Sequence, residues 1–391
     1  MIKSVHIKNF RSCRDVYLEG IGTILALAGR NGAGKTNILE GIEWLSKVAT
    51  ATPVHAQAIG ERVEGAITFH SGDKVYRYVA ETIVLQPASF DDLRVEMKEE
   101  LHCLDTGTRL VSREKELASL ADGTHVKIGS QSPVIPSLLA LLAADDPNRR
   151  DLQEAFALLS AIRYYPLDEP SHPGGAVLIE PDEYARWLAG YQRNPAASNS
   201  VPMRLLHLHL TAPHLLEELK QIVGDNDLSI IRQIEVVSFD LPSRSRNADS
   251  AETQKAYYVG FFPSRGHSPV GYPGLSLGTR RVLRIVASAL SDQSAVMLME
   301  QPEDSIHSGL MKKVIEFLRH YSVRTQIIMA THSANVFNKM QPEEIRIVHL
   351  ADGQTKIRSL TQQELAAASK YVHDEGPLSE FVEVAIDEAN N

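Results

Sequence analysis

Apolar residues near the start of the chain form a short run and then a one-sided repeat. Residues 23–28 are an apolar run that stops at a glycine-rich stretch, which predicts a strand followed by a loop. After Thr36, the apolar residues Ile38, Ile42 and Leu45 recur at helical spacing. The pattern therefore predicts a strand, a loop and a helix in that order.

Similar patterns lie near the other end of the chain. Residues 282–290 carry apolar side chains at helical spacing, which predicts a second helix. Residues 297–299 form an apolar run that leads to Glu300, and residues 327–330 form another that leads towards His332. Each run predicts a strand that ends in a polar residue.

The chain changes character between these ends. Residues 64–128 are short extended runs broken by turn residues, which predicts a β-rich subdomain. Residues 133–223 show helical spacing instead, with a helix over 151–162 and another that Thr211 can cap. Residues 230–241 return to a strand pattern. We therefore predict three segments: 1–132, an N-terminal lobe; 133–228, a helical insertion or lid; and 229–391, a C-terminal lobe.

Composition favours a chain that works in the cytoplasm. With 391 residues, 43% of them hydrophobic and 23% charged, the chain can bury one large core or two smaller ones. No apolar stretch approaches the roughly 18 residues that a membrane span needs, and we see no secretory signal at the start. We expect a cytoplasmic protein with no membrane partner. The two cysteines, Cys13 and Cys103, are too few for a disulfide framework.

The charge balance bears on nucleic acid as a partner. A formal net charge of −9 argues against a wholly basic surface that coats nucleic acid. A local basic patch is still compatible with that balance. Arg244 and Arg246 lie in a stretch rich in Ser, Pro and Asn that faces either a phosphate backbone or only solvent.

The glycine-rich stretch after the first predicted strand fits a phosphate-binding loop. Residues 29–36 follow the pattern G-x-x-x-x-G-K-[ST]. The glycines let backbone N–H groups close around phosphate oxygens, while the lysine and the hydroxyl meet the terminal phosphates and magnesium. The helix N-terminus that follows favours anions; the alternative is an ordinary glycine-rich turn. We assign the nucleotide contacts to Gly29, Arg30, Asn31, Gly32, Ala33, Gly34, Lys35, Thr36 and Asn37.

Three later segments indicate which kind of phosphate-loop protein this is. A Leu-Ser-x-Gly stretch precedes the second predicted helix, one apolar strand ends at Glu300, and another leads to His332. In this order they resemble the ABC-type ATPases. The resemblance implies a dimer in which the serine and glycine of one protomer cap the γ-phosphate held by the other; alone, such a stretch is more often only a helix N-cap. The signature residues are Leu275, Ser276, Leu277, Gly278 and Thr279.

Spacing and the start of the chain narrow the resemblance. Lys35 and Ser276 lie far apart, whereas transporter subunits keep these motifs much closer, so a large insertion divides the ATPase into two lobes. Asn-Phe-Arg-Ser at residues 9–12 and the block at residues 300–307 are similar to the "NF[RK]S" and "DEPExxLHP" motifs of the SMC/RecF/OLD-like branch. The resemblance implies a two-lobed ABC-type ATPase head of the α/β class, with a flanking antiparallel β-sheet and a helical insertion. It also implies that Arg11 lies close to the nucleotide.

The carboxylate block departs from the pattern of that branch. There, an aspartate orients the magnesium-bound water and the next glutamate activates the attacking water; here these positions hold Glu300 and Gln301. Glu300 can still serve the metal beside the Thr36 hydroxyl. An amide can orient a water but is no general base. Glu303 either takes over as base or is a surface carboxylate, and His332 matches the switch histidine that reaches towards the γ-phosphate.

Together these features indicate an ATPase that uses ATP and Mg²⁺ and controls another protein. OLD proteins continue into a Toprim nuclease, whose Asp-x-Asp pair is missing after His332, so we expect no nuclease in this chain. We expect slow hydrolysis, a dimer or higher homo-oligomer around ATP, and a separate effector, either a nuclease or a toxin, in anti-phage defence. The alternative is a DNA repair or chromosome-maintenance ATPase that acts directly on DNA. A transporter ATPase subunit is less favoured.

Overall fold

The computed structural model describes residues 1–51, 60–85, 94–167, 178–198, 200–225, 227–241, 254–264 and 268–390. The strands are β1 (Ile2–Phe10), β2 (Cys13–Glu19), β3 (Ile24–Ala28), β4 (Arg62–Ser71), β5 (Lys74–Leu85), β6 (Arg94–Cys103), β7 (Thr108–Glu114), β8 (Leu117–Leu120), β9 (His125–Lys127), β10 (Ile162–Tyr165), β11 (Ile231–Leu241), β12 (Gln254–Pro263), β13 (Val296–Glu300), β14 (Gln326–Thr331), β15 (Ile345–Ala351) and β16 (Gln354–Ser359). The helices are α1 (Lys35–Thr50), α2 (Val134–Leu141), α3 (Arg149–Leu159), α4 (Pro181–Arg193), α5 (Val201–Thr211), α6 (Pro213–Val223), α7 (Leu277–Ser291), α8 (Ser308–Tyr321), α9 (Ala334–Phe337), α10 (Gln362–Asp374) and α11 (Leu378–Asn390). The predicted mixed α/β class is confirmed.

The chain divides into two compact units. The first unit comprises Met1–Tyr164, Ser294–Glu300 and Arg319–Asn391, and the second comprises Tyr165–Gln293 and Gln301–Leu318. The boundaries predicted at residues 132 and 228 stay a prediction of the sequence.

A six-stranded sheet in the first unit has the order β10-β13-β14-β3-β15-β16. The pairs β13–β14, β14–β3 and β3–β15 are parallel. Every residue of β3 and of β14 is buried, as expected for central strands covered on both faces. In the register of the sheet, Glu300 lies opposite Ala330, and Thr331 lies opposite Ala28. The carboxyl ends of β13, β14 and β3 therefore meet at one edge.

An eight-stranded antiparallel sheet in the same unit has the order β2-β1-β4-β5-β6-β7-β8-β9. It confirms the β-rich character predicted for residues 64–128, of which residues 86–93 lie outside the described residues. Helix α1 contacts β1 and β4 of this sheet and β13 and β14 of the other. Its buried side chains include Ile38, Ile42 and Leu45, which the helical repeat predicts.

The helical segment differs from its prediction at two places. Helix α3 ends at Leu159, and Ile162 begins strand β10 instead of ending the predicted helix. The β-branched and aromatic residues of β10 suit a strand, and β10 gains a partner in β13. Thr211 is the last residue of α5, and its hydroxyl donates to the His207 carbonyl at 2.7 Å. Ala212, not Thr211, therefore occupies the N-cap position of α6.

The second unit combines α4–α7 with an antiparallel hairpin of β11 and β12. A buried polar cluster stabilises it. Arg204 contacts the carboxylate of Asp292, and both side chains are almost fully buried. The Tyr191 hydroxyl also donates to this carboxylate, at 3.0 Å. The polar groups thus satisfy one another away from water, as buried charges require.

Several single features complete the fold. Among the described helices, none has the length and apolar character needed to cross a membrane. Cys13 and Cys103 are both buried and free. Burial raises the pKa of the Cys13 thiol to about 11, so this thiol stays protonated at neutral pH. Arg244 and Arg246 lie outside the described residues.

Candidate nucleotide-binding site

The glycine loop connects β3 to α1, and two of its glycines are fixed by close packing. A Cβ atom on Gly29 would lie 2.1 Å from the Val348 carbonyl oxygen. Gly34 has φ +96°, and a Cβ atom there would lie 1.8 Å from Oγ1 of Thr355. Gly32 has φ +80° in open space. The loop thus needs glycine for contact with β15 and β16 at two positions and for backbone conformation at the third.

The loop places a cation and a helix end at the same point. The side chain of Lys35 is buried, and its ammonium group donates to the carbonyls of Gly29, at 2.8 Å, and Arg30, at 3.0 Å. The first turn of α1 carries no acidic residue of its own to offset the positive end of the helix dipole. Both features favour an anion such as a phosphate.

A carboxylate at the end of β13 faces the first turn of α1. The hydroxyl of Thr36 donates to Oε1 of Glu300, and the Tyr164 hydroxyl donates to Oε2 at 2.6 Å. Burial, followed by the bond to Glu300, raises the pKa of Tyr164, so its hydroxyl remains a neutral donor. The Thr36 hydroxyl and the Glu300 carboxylate are hard oxygen ligands of the kind that a divalent cation such as Mg²⁺ prefers. The donor set therefore fits the group that the phosphate loop implies.

Arg11 lies in the turn between β1 and β2, beside α1. Asn9 and Arg11 both have positive φ angles, of 57° and 51°. The guanidinium group of Arg11 pairs with Glu40 and donates to Oδ1 of Asn37 at 3.3 Å. Burial raises the pKa of Glu40, Arg11 opposes that shift, and the charge of Glu300 adds to it. Arg11 thus offsets the charge of a second carboxylate, Glu40, which lies close enough to Glu300 for the two charges to interact.

Hydroxyl groups link this turn to the glycine loop. The Asn37 amide donates to the Ser12 hydroxyl at 2.6 Å, and Ser12 shares a hydrogen bond of 2.7 Å with the Thr355 hydroxyl. Thr355 in turn donates to the Ala33 carbonyl at 3.1 Å. Sequence reasoning missed Tyr164, Glu40 and Thr355. Of these, Glu40 alone carries a signal, because it lies one helical turn after Thr36.

His332 follows β14 at the same edge of the sheet. Thr331 is buried and lies opposite Ala28, the residue before the glycine loop. His332 itself is exposed. The first unit therefore brings together Arg11, the glycine loop, Glu300 and the strand end that carries His332.

The signature residues belong to the second unit, at the start of α7. Ser276 is the N-cap residue, and its side chain accepts a hydrogen bond from the Thr279 N–H at 3.2 Å. Gly278 is buried, and a Cβ atom there would lie 2.4 Å from the Ser305 carbonyl oxygen. Leu275 is also buried, whereas Ser276 and Leu277 are exposed. Ser276 therefore acts as the N-cap of α7. A contact between the exposed signature residues and a nucleotide in a dimer stays a prediction.

Gln301 and Glu303 also belong to the second unit. Gln301 has φ +43°, an uncommon conformation for a residue other than glycine. Its carbonyl accepts a hydrogen bond from Arg281 at 2.9 Å. Glu303 is partly buried. The catalytic roles of both residues stay predictions.

Comparisons with known proteins agree with a nucleotide-binding chain. Residues 185–338 match the family described as "AAA domain, putative AbiEii toxin, Type IV TA system", and residues 1–102 match "AAA ATPase domain". An "ATP/GTP phosphatase" of Helicobacter pylori is 20% identical over 382 residues, which cover 93% of either chain. An uncharacterized protein of Methanocaldococcus jannaschii is 50% identical over 42 residues, 11% of this chain and 19% of that protein.

A solved structure shows the same fold. It is an SMC head bound to the C-winged helix domain of ScpA, with 14% identity and a TM-score of 0.50 over 94% of this chain and 99% of that chain. The family matches and the ATP/GTP phosphatase relative together support a P-loop ATPase, and the SMC head shares its fold.

Proposed function

We propose that this chain is a slow ATPase that binds ATP together with Mg²⁺. The observation that carries the proposal is the Glu300 carboxylate in contact with Thr36, directly after the glycine loop. The loop N–H groups and Lys35 hold the phosphates, and the oxygens of Thr36 and Glu300 hold the metal. When bound, Mg²⁺ neutralises charge that develops on the phosphate oxygens.

Hydrolysis is slow in this proposal because Gln301 occupies the position of the usual base. Its amide can orient an attacking water through hydrogen bonds but cannot accept the proton. His332 reaches the γ-phosphate from the end of β14. Glu303 is the rival base, and its partial burial is compatible with a role other than that of a solvated surface charge.

We further propose that ATP is enclosed between two protomers and that the closed state holds a separate effector. The exposed Ser276 and Leu277, the latter 50% exposed, offer a surface for the loop of a second protomer. The effector in this proposal is a toxin or a nuclease in anti-phage defence in the cytoplasm. The description of the matched family, which names a putative toxin, supports a toxin-related role in general. The SMC head in complex with a ScpA domain favours protein partners in general.

The SMC head fold also favours the alternative, a DNA repair or chromosome-maintenance ATPase that acts directly on DNA. DNA binding that falls steeply with salt concentration would favour this alternative, since each neutralised phosphate releases counterions.

Lys35→Ala tests the nucleotide site itself. The change removes a charged donor, so ATP affinity should fall at least about tenfold, measured by fluorescence of a labelled ATP analogue. Lys47→Ala is the matched control, because Lys47 lies on the same helix and pairs with Glu43 at 2.8 Å. Equal ATP affinity of the wild type and Lys35→Ala would contradict the assignment of the loop.

A further inference from the structure

Tyr164 is the neighbour of Glu300 that no motif of the chain predicts. Strand β10, which carries Tyr164, lies next to β13 in the six-stranded sheet. The Tyr164 hydroxyl donates a hydrogen bond to Oε2 of Glu300 at 2.6 Å, while Oε1 accepts one from the Thr36 hydroxyl. The two oxygens of one carboxylate are therefore divided between two different donors.

We propose that Tyr164 is a positioning residue that fixes the Glu300 carboxylate for a divalent cation. The inference rests on the proposed function. A glutamate has one more rotatable bond than the aspartate of the resembled ATPases, so ordering its carboxylate costs more side-chain entropy. A hydrogen bond to Oε2 removes that freedom and leaves Oε1 directed towards the Thr36 hydroxyl. Outer groups that orient a ligand in this way tune metal sites.

The surrounding charges make this donor useful. The charges of Glu40, Glu43 and Glu300 all act on Tyr164, and that of Glu300 raises the pKa of Glu40. A phenol donor pairs with Glu300 without adding a further charge among these carboxylates.

Tyr164→Phe removes the donor and keeps the ring. The measurement is the binding of a fluorescent ATP analogue to the full chain, titrated with Mg²⁺ and repeated in EDTA. We expect the Mg²⁺ concentration at half-saturation to rise about tenfold, as for other groups that orient metal ligands, with nucleotide binding in EDTA unchanged. Tyr78→Phe is the matched control, since the Tyr78 hydroxyl donates to another glutamate of this unit, Glu99, at 2.7 Å.

Glu300→Asp tests whether Tyr164 acts through Glu300. The shorter side chain loses the reach to the phenol, so adding Tyr164→Phe to it should change the Mg²⁺ dependence little. Equal effects of Tyr164→Phe in both backgrounds, or an unchanged Mg²⁺ dependence in the single variant, would overturn the inference. In either case, normal binding in EDTA would leave the proposed nucleotide site standing. A wild-type chain that binds no nucleotide would overturn the proposed function and the inference with it.

Discussion

Between Glu300 and Gln301, both the side-chain chemistry and the backbone change within one peptide step. Glu300 ends a regular strand and offers a carboxylate. Gln301 has φ +43° and offers only an amide. A residue other than glycine in this sparsely populated conformation costs free energy, and the conformation persists only where the surroundings maintain it. Here the Arg281 guanidinium donates to the Gln301 carbonyl. Gln301 is therefore fixed in place but cannot take a proton.

Gln301→Glu should restore a base and accelerate hydrolysis. General bases contribute about 10²–10⁴-fold, so we expect phosphate release from ATP to rise at least about tenfold over the wild type. The paired variant Glu303→Gln should change the rate little if Gln301 marks the true base position. A fast wild-type enzyme that Glu303→Gln inactivates would instead assign the base to Glu303.

At the residue scale, the sequence predicted the site residues that belong to motifs. It did not predict the residues that only the fold brings close to those motifs. Lys35, Thr36 and Glu300 follow from local patterns of glycine, hydroxyl and carboxylate residues, and the structure brings them together. Tyr164 and Thr355 carry no local pattern. They reach the site only because β10 pairs beside β13 and the glycine loop packs against β16.

At the element scale, strong hydrophobic patterns predicted the structure and weak ones did not. The runs and repeats that predicted β3, α1, α7, β13 and β14 are confirmed. Strand β10 has only four residues inside a helical segment, and it is defined by its pairing with β13 rather than by a pattern of its own. The predicted cap at Thr211 also failed, because the Thr211 hydroxyl donates to a carbonyl of α5 instead of capping α6.

Gly34→Ala tests the contact between the glycine loop and strand β16. Residue 34 has φ +96°, which strains an alanine, and the new Cβ atom would lie 1.8 Å from Oγ1 of Thr355. We expect a loss of about 2 kcal/mol or more in the free energy of unfolding, measured by urea denaturation. Gly32→Ala is the control for backbone strain, because the space around it is open, and it should cost less.

Adding Thr355→Ala to Gly34→Ala removes the clashing oxygen and should recover part of the loss. The two changes would then be non-additive, as expected for residues in contact. Equal costs for Gly34→Ala and Gly32→Ala would contradict a steric role for β16.

At the scale of the whole molecule, the candidate residues fall in both compact units. The first unit holds the glycine loop, Glu300 and His332, whereas the second holds the signature and Gln301. A fold of this kind carries many functions, so the architecture alone does not support the proposed defence role. In the proposed ATP-bound dimer, the signature of one protomer would meet the glycine loop of the other.

ATP should drive assembly of the wild type, and changes at either half of the composite site should block it. Lys35→Ala should fail because it loses the nucleotide. Ser276→Arg should bind ATP within a protomer and remain at the mass seen without ATP, because a bulky side chain replaces an exposed hydroxyl. Mass measurements with and without ATP decide this.

Ser276→Arg also removes an N-cap, which costs about 0.5–2 kcal/mol, so a second variant must separate the two effects. Ser276→Asp keeps the capping oxygen but places a carboxylate where the partner's phosphate would lie, and like charges should prevent closure. Both variants should therefore block assembly while the control Lys47→Ala assembles normally. If Lys35→Ala, Ser276→Arg and Ser276→Asp all assembled in ATP like the wild type, ATP enclosed between protomers would not be what organises the oligomer.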